Sequence, residues 1–398
     1  MAHILFIHPG PVPPSDDDRK VLVNHLSAHH FGHVLQAVWG RPGQNRLRQE
    51  AGQFRLHYTF PHMVHQPFRK VRTLLFFLWT GWQLHRSHEQ GFDVIVSYGW
   101  NTTGIAAVIL KWLTGAKLIV EAPGVPVAGQ RYQSRDWTWP KRLRAALNGW
   151  MLRRVLGHSD GVKLLYPEQV DGFLPKAEIP TSVFHDLVPI DSLSPADRHE
   201  KTILLLGCPW YLKGVDVLIK AFKLIRDEFP EQRLRVIGHC DDRAPFDELR
   251  AGDLRIEFMR GVPHEEAMHH MARCTVFVLP SRTEGMGRVL LEAMALRRPI
   301  IASRVDGIPH YIEDGENGLL FESESVDDLA RQLHRVLSDR GLARKLADEG
   351  YERVHERYSE REYARHFDAL IESVLGEAAS AGAEMGDRRP DCQMTASS

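Results

Sequence analysis

The chain has 398 residues, 43% hydrophobic and 25% charged, an ordinary globular composition with enough length for two full cores. Lys and Arg total 50 against 51 Asp and Glu, so the net charge of −1 excludes the broad basic field of a nucleic-acid binder. The four cysteines, Cys208, Cys240, Cys274 and Cys392, form no CxxC pair, which excludes a disulfide framework and a thiolate metal site and fits a reducing cytoplasm.

The start, MAHILFIHPG, runs straight into an apolar strand pattern with no basic n-region, so no signal peptide is expected. The longest apolar stretch, near Leu74–Trp82, is far short of the roughly 20 residues of a membrane span. Strands are predicted at Ile4–His8, Val34–Val38, Asp93–Tyr98, Lys117–Val120 and Gly161–Leu165. A second series follows at Thr202–Leu206, Leu234–Ile237, Ile256–Met259, Val276–Leu279 and Pro299–Ala302. Helical patterns lie between, with Val21, Leu22, His25 and Leu26 on one face, and Val217, Leu218, Ala221 and Phe222 on another. Continuous apolar strands alternating with helices predict parallel sheets covered on both sides.

The series restarts after VPIDSLSPADRHEK, a Pro-, Ser- and charge-rich linker. The predicted fold class is therefore α/β, with two doubly wound Rossmann-like domains facing a central cleft. Residues 1–195 form the first and 196–354 the second. A helix at about 355–376, apolar at Tyr363, Phe367, Leu370, Ile371 and Leu375, is expected to pack back on the first. Residues 377–398 lack apolar periodicity and are expected to be disordered. Ligands in such folds bind beyond the carboxyl ends of strands, so the cleft is the expected site.

The chemistry concentrates in VFVLPSRTEGMGRVLLEAMALRRPIIASRVDGIPHYIEDGENGLLF, residues 276–321. A buried strand ends at Pro280, a loop follows, and a helix starts near Arg288. Gly285 and Gly287, around Met286, let backbone approach a ligand without a Cβ clash. The amides that follow open a helix, whose free N–H groups and dipole attract anions such as a diphosphate. Glu284 stands just before that positive end and can accept from hydroxyls. Glu292, about one and a half turns inside, is within reach of a ribose diol. Two glutamates are ordinarily surface groups, but Leu290, Leu291, Ala293, Met294 and Ala295 place Glu292 in a buried helix.

This string resembles the donor-binding signature of glycosyltransferase family 4, retaining enzymes of GT-B fold. The match runs through Pro280, Ser281, Glu284, Gly285, Gly287, Glu292, Ala293 and Ala295, and on through Pro299, Ser303, Gly307, Pro309, Asp314, Gly315, Gly318 and Leu320. The resemblance implies that Glu284 faces the donor sugar and Glu292 the ribose. TILLLGCPWYLKGVDVLIKAFKLI resembles the family's strand–loop–helix opening of the second domain, where an Arg and a Lys face the diphosphate. Lys213 before Gly214 matches, whereas Cys208 takes the Arg position, so Lys213 carries more of the charge, with Arg288 or Arg282 as compensators. By the same resemblance the backbone at Gly261–Val262 meets the base. The implied catalytic pair is Glu284 and Lys213, with Gly285, Met286, Gly287, Arg288, Glu292, Gly261 and Val262 on the donor.

Residues 201–350 carry the resemblance closely and the first half only loosely. PGPVPPSDDDR lacks the family's paired glycines and holds Ser15, Asp16, Asp17 and Asp18, which read as helix-capping groups or as hydroxyl contacts to the sugar or acceptor. Glu121, in EAPGVP, stands where the family often has a His, and is a second acceptor-side candidate. Among 22 histidines, His29, His30 and His33, and His264, His269 and His270, cluster in sequence without HExxH or Cys/His spacing. No metal and no cofactor is expected, the nucleotide-sugar being a substrate.

FRKVRTLLFFLWTGWQLHR, residues 68–86, is basic, aromatic and free of acid. DWTWPKRLRAALNGWMLRR, residues 136–154, is nearly so, with Trp137, Trp139 and Trp150. Such helices are either core helices with basic outer faces or interfacial helices on an anionic membrane. The resemblance thus implies a retaining, hexosyltransferase-like glycosyltransferase that moves sugar from a nucleotide-sugar to a carbohydrate or lipid-linked acceptor. It would act in envelope or extracellular polysaccharide or glycolipid synthesis, in the cytoplasm or peripherally on the inner membrane face. Two alternatives remain: a non-catalytic sugar-nucleotide-binding subunit, for which Cys208 speaks, and another GT-B enzyme, a phosphorylase or nucleotide-sugar epimerase.

Overall fold

The computed structural model describes residues 1–9, 18–37, 46–59, 66–88, 91–124, 139–174, 179–196 and 200–376. Two sheets carry the architecture. The first has eight strands: β1 Ala2–His8, β2 His30–Ala37, β3 Arg46–Ala51, β4 Phe54–Thr59, β5 Val94–Tyr98, β6 Lys117–Glu121, β7 Gly161–Leu164 and β8 Thr181–Val183. Their order is β3-β4-β2-β1-β5-β6-β7-β8, parallel throughout except for β3 against β4. The second has six parallel strands: β9 Thr202–Leu206, β10 Arg233–Ile237, β11 Ile256–Met259, β12 Val276–Leu279, β13 Ile300–Ser303 and β14 Leu319–Phe321, in the order β11-β10-β9-β12-β13-β14.

Side-chain alternation explains why both faces need covering. On β1, Ile4 and Phe6 enter one core and Leu5 and Ile7 the other. The first core is closed by α1 (Asp18–Leu26), the second by α2 (Gln66–Ser87), α3 (Thr102–Thr114) and α4 (Trp139–Leu156). β9 divides likewise, Leu204 and Leu206 to one side and Ile203 and Leu205 to the other. Around it stand α5 (Val215–Ile225), α6 (Ala244–Arg250), α7 (His264–Arg273), α8 (Arg288–Ala295), α9 (Val326–Ser338) and α10 (Arg340–Arg357).

Three strands of the second sheet, β9, β11 and β12, have the bounds that periodicity predicts. β3, β4, β8 and β14 were not predicted. β3, RLRQEA, is a polar edge strand turned onto β4, FRLHYT, whose Phe54, Leu56 and Tyr58 enter the core, and β14 is a three-residue element. The pattern expected at 355–376 divides into two helices. α10 stays on the second sheet, and α11, Glu360–Leu375, crosses to the first. The Ser359 hydroxyl accepts from the Glu362 amide to start α11, and Gly376 ends it in the left-handed conformation. Its Phe367, fully buried, packs beside Phe6 and Phe184.

The first sheet's core is thus finished by the last described helix. Phe367→Ala should cost about 3–5 kcal/mol, the range for emptying a buried aromatic site. It should shift the denaturant midpoint of the first domain, read by tryptophan fluorescence, whereas an equal change at exposed Arg361 should not.

Candidate functional site

The site is assembled from the carboxyl ends of β9 and β12. After β9 the chain turns through Pro209–Gly214, with the Lys213 amide donating to the Pro209 carbonyl at 3.0 Å. Gly214 caps α5 at φ +67°, and a Cβ there would lie 1.9 Å from the Pro280 carbonyl oxygen. Only glycine permits that approach, and it lays Lys213 against the end of β12. The Lys213 ammonium makes an ion pair with Glu284, both side chains about one-sixth exposed.

The loop bearing Glu284 is fixed at several points. The Ser281 hydroxyl donates to a Glu284 carboxylate oxygen at 3.2 Å. One Asp306 carboxylate oxygen accepts from the Thr283 hydroxyl at 2.6 Å and from the Glu284 amide at 2.9 Å. Arg282 is buried and donates to both carboxylate oxygens of Asp216 at 2.8 Å, to Glu324 at 2.8 Å, and to the Tyr211 carbonyl. Those carboxylates hold its guanidinium charged despite burial, with its pKa raised.

Gly285 lies so close to the first domain that a Cβ would stand 2.9 Å from the Gly124 Cα. Met286, 2% exposed, accepts from the Asp186 amide through its sulfur at 3.3 Å. The Tyr311 hydroxyl donates to the Leu165 carbonyl, a further bond between the two halves. Gly287, at φ +74°, precedes α8, whose amino end has no side-chain cap. Within α8, Glu292 is 6% exposed, 4.0 Å from the His264 ring nitrogen. Gly261 is exposed and Val262 half-buried just after β11.

The structure thus brings Glu284, Gly285, Met286, Gly287 and Glu292 onto one loop–helix unit after β12, with Lys213 laid against it from the loop after β9. Arg288 is the exposed first residue of α8. Arg282 does not compensate for Cys208: its donors are committed to Asp216, Glu324 and Tyr211. Glu121 does not face solvent in the cleft. It is 1% exposed and accepts from the Tyr363 hydroxyl at 3.3 Å, so it joins β6 to α11. Ser15 and Asp16 lie outside the described residues. His29 and His30 both pair with Asp368 of α11, at 2.7 and 2.6 Å, which separates them from His33.

Neither Asp306 nor the Asp216–Arg282 clamp was legible from sequence, since neither belongs to a local spacing. A concavity of about 880 Å³ is lined by Lys201, Thr275, Arg298 and Pro299, at the amino ends of β9, β12 and β13. It lies opposite the Lys213–Glu284 pair, at the end where α/β folds do not bind ligands.

Residues 194–353 match the family model described as glycosyl transferases group 1. An uncharacterised glycosyltransferase of Methanocaldococcus jannaschii is 34% identical over 140 residues, 35% of this chain and 39% of that protein. The GDP-mannose-dependent alpha-(1-6)-phosphatidylinositol monomannoside mannosyltransferase of Mycolicibacterium smegmatis is 34% identical over 138 residues, 32% of this chain and 36% of that protein. The chain therefore matches well under half the length of these curated relatives. Among solved structures, sucrose-phosphate synthase of Thermosynechococcus elongatus superposes with a TM-score of 0.77 at 20% identity, over 95% of this chain and all of that one. Anabaena HepE in complex with UDP-glucose superposes with a TM-score of 0.69 at 14% identity, over 94% of this chain and all of that one. The likeness to solved structures gives the fold, GT-B, and within it residues 194–353 are similar to the glycosyl transferases group 1 model.

Proposed function

We propose that the protein is a retaining glycosyltransferase that takes sugar from a nucleotide-sugar and passes it to a lipid-linked or polysaccharide acceptor. The observation that carries this reading is the Lys213–Glu284 ion pair, half-buried at the mouth of α8. A diphosphate outcompetes one carboxylate for an ammonium group. Its arrival draws Lys213 away and frees Glu284 to accept from sugar hydroxyls. The amides of Gly285–Gly287 and the α8 dipole then meet the negative charge that grows as the glycosidic bond to the phosphate breaks. The departing phosphate oxygen takes the acceptor's proton as the new bond forms on the same face, so no separate base is assigned. Glu292 holds the ribose, and Gly261–Val262 the base. Ser15 and Asp16 are kept as acceptor-side or sugar contacts. A nucleotide-sugar donor is supported by HepE, whose structure contains UDP-glucose. A lipid acceptor is supported by the mannosyltransferase relative, named for a phosphatidylinositol mannoside.

Thermal shift against UDP-, GDP- and ADP-sugars should single out one donor, with stabilisation of about 2.7 kcal/mol at a hundred times its dissociation constant. With that donor, Lys213→Ala should lower kcat by about 10²–10³-fold, the loss expected when one charge-stabilising group is removed. Glu284→Ala should lower it by about 10²-fold through misplacement of the sugar. Unchanged rates in both variants would overturn the site. A bound donor with no transfer to any acceptor would favour the non-catalytic subunit to which Cys208 points.

The membrane reading rests on α2 and α4. On α2, Phe68, Val71, Leu75 and Trp79 are 54–67% exposed and fall within about 80° of helical arc. On α4, Trp139, Leu143, Leu147 and Trp150 are 45–73% exposed on an equally narrow arc. Exposed Lys70, Arg72, Arg142, Arg144, Arg153 and Arg154 flank these stripes, and neither helix contains an acid. No described helix is long and apolar enough to cross a membrane. A surface of this kind seats peripherally on anionic lipid, at the inner face in our reading. The protein should float with phosphatidylglycerol vesicles at low salt, and Trp79→Asp combined with Trp150→Asp should leave it at the bottom. Wild-type protein that stays at the bottom at low salt would end this reading.

A further inference from the structure

We propose that His3, His33 and His88 form a structural site for a divalent transition metal ion, zinc foremost, at the amino end of the first sheet. One nitrogen from each of the three imidazoles lies within 4.8 Å of the other two. The residues are far apart in sequence and come together only through the fold. His3 is the second residue of β1 and sits in register with Phe31 on β2, two residues before His33. His88 follows the end of α2.

The His3 ring is oriented as a ligand. It is 2% exposed, and its Nδ1 donates to the Gly91 carbonyl. That bond leaves the lone pair on Nε2, which is buried and has no hydrogen-bond partner among the described residues. A buried ring nitrogen left without a partner is costly, and a metal ion is a partner that satisfies it. His33 is 5% exposed, and its Nδ1 is hydrogen-bonded to His57 Nε2 at 3.2 Å, the kind of outer contact that orients a ligating imidazole.

Ring spacings agree. The His3 centroid is 4.3 Å from His88 and 5.6 Å from His33, and His33 and His88 are 6.4 Å apart. Bonds of about 2.0–2.1 Å in a tetrahedral zinc site bring the nitrogens to about 3.3 Å of one another. His88 is exposed at a helix end and can make that small inward movement. Phe31 stacks on His3 at 4.8 Å and Phe92 lies 4.7 Å from it, giving the site an apolar wall.

Three imidazoles leave a fourth position for water on the His88 side. The site is at the end of β1 and β2 remote from the cleft and touches none of the donor-binding residues. Its effect is to tie the end of α2 to two strands. This inference does not depend on the donor-site reading.

The test uses the untagged full chain, chelator-treated and dialysed. Titration with zinc chloride should show one saturable site and raise Tm by about 5–10 °C at a hundredfold excess over the dissociation constant. Cobalt(II) should give the visible absorption of a tetrahedral nitrogen site. His88→Gln, on an exposed helix end, should fold and lose both responses, and His3→Gln should lose them too if it folds. A wild-type chain with no saturable zinc effect, or a His88→Gln variant that keeps the full shift and the cobalt spectrum, would overturn the site.

Discussion

Arg282 donates to both oxygens of Asp216, to Glu324 and to the Tyr211 carbonyl, and so joins the loop after β9 to the loop after β12. The two loops bear Lys213 and Glu284. Removing one partner of so buried a charge strands the other, which makes the clamp an all-or-none feature. Gly214 completes it, because any side chain there would collide with the Pro280 carbonyl. The geometry of the candidate site therefore rests on a guanidinium that itself faces no ligand.

The same loop is pressed against the first domain. Gly285 against Gly124, Met286 sulfur beneath the Asp186 amide, and Tyr311 to the Leu165 carbonyl are short-range contacts of small area. A site built at such a seam couples ligand binding to how the two sheets sit, as domain-closing enzymes require. Glu121, by contrast, spends its carboxylate on Tyr363 and belongs to the packing of the first domain.

Much of this was legible in the sequence. Continuous apolar runs such as TILLL and VFVL have few alternatives to a doubly covered parallel strand, and both strands were placed to the residue. The loop–helix unit from Glu284 to Glu292 was legible because its spacing is local. Asp306 and Asp216 were not, since their roles depend on loops 22 to 66 residues distant in the chain. The hairpin of β3 and β4 escaped because β3, at the sheet edge, is mostly polar, and Arg55 and His57 break up the apolar residues of the short β4. His29, His30 and His33 cluster in sequence but not in space. Asp368 takes the first two, whereas the His33 ring is hydrogen-bonded to His57.

The placement of α11 has a consequence for how this chain is made. Residues 2–183 supply every described strand of the first sheet, yet Tyr363, Phe367, Leu370 and Ile371, which seal one of its faces, are translated only after the whole of the second sheet. On the ribosome the second domain has all its strands and helices while the first still shows Ile4, Phe6 and Val96 to solvent. The nascent first domain is therefore the stretch for which a holding chaperone has a target, and severing the chain at the linker yields a sticky fragment rather than a free-standing domain.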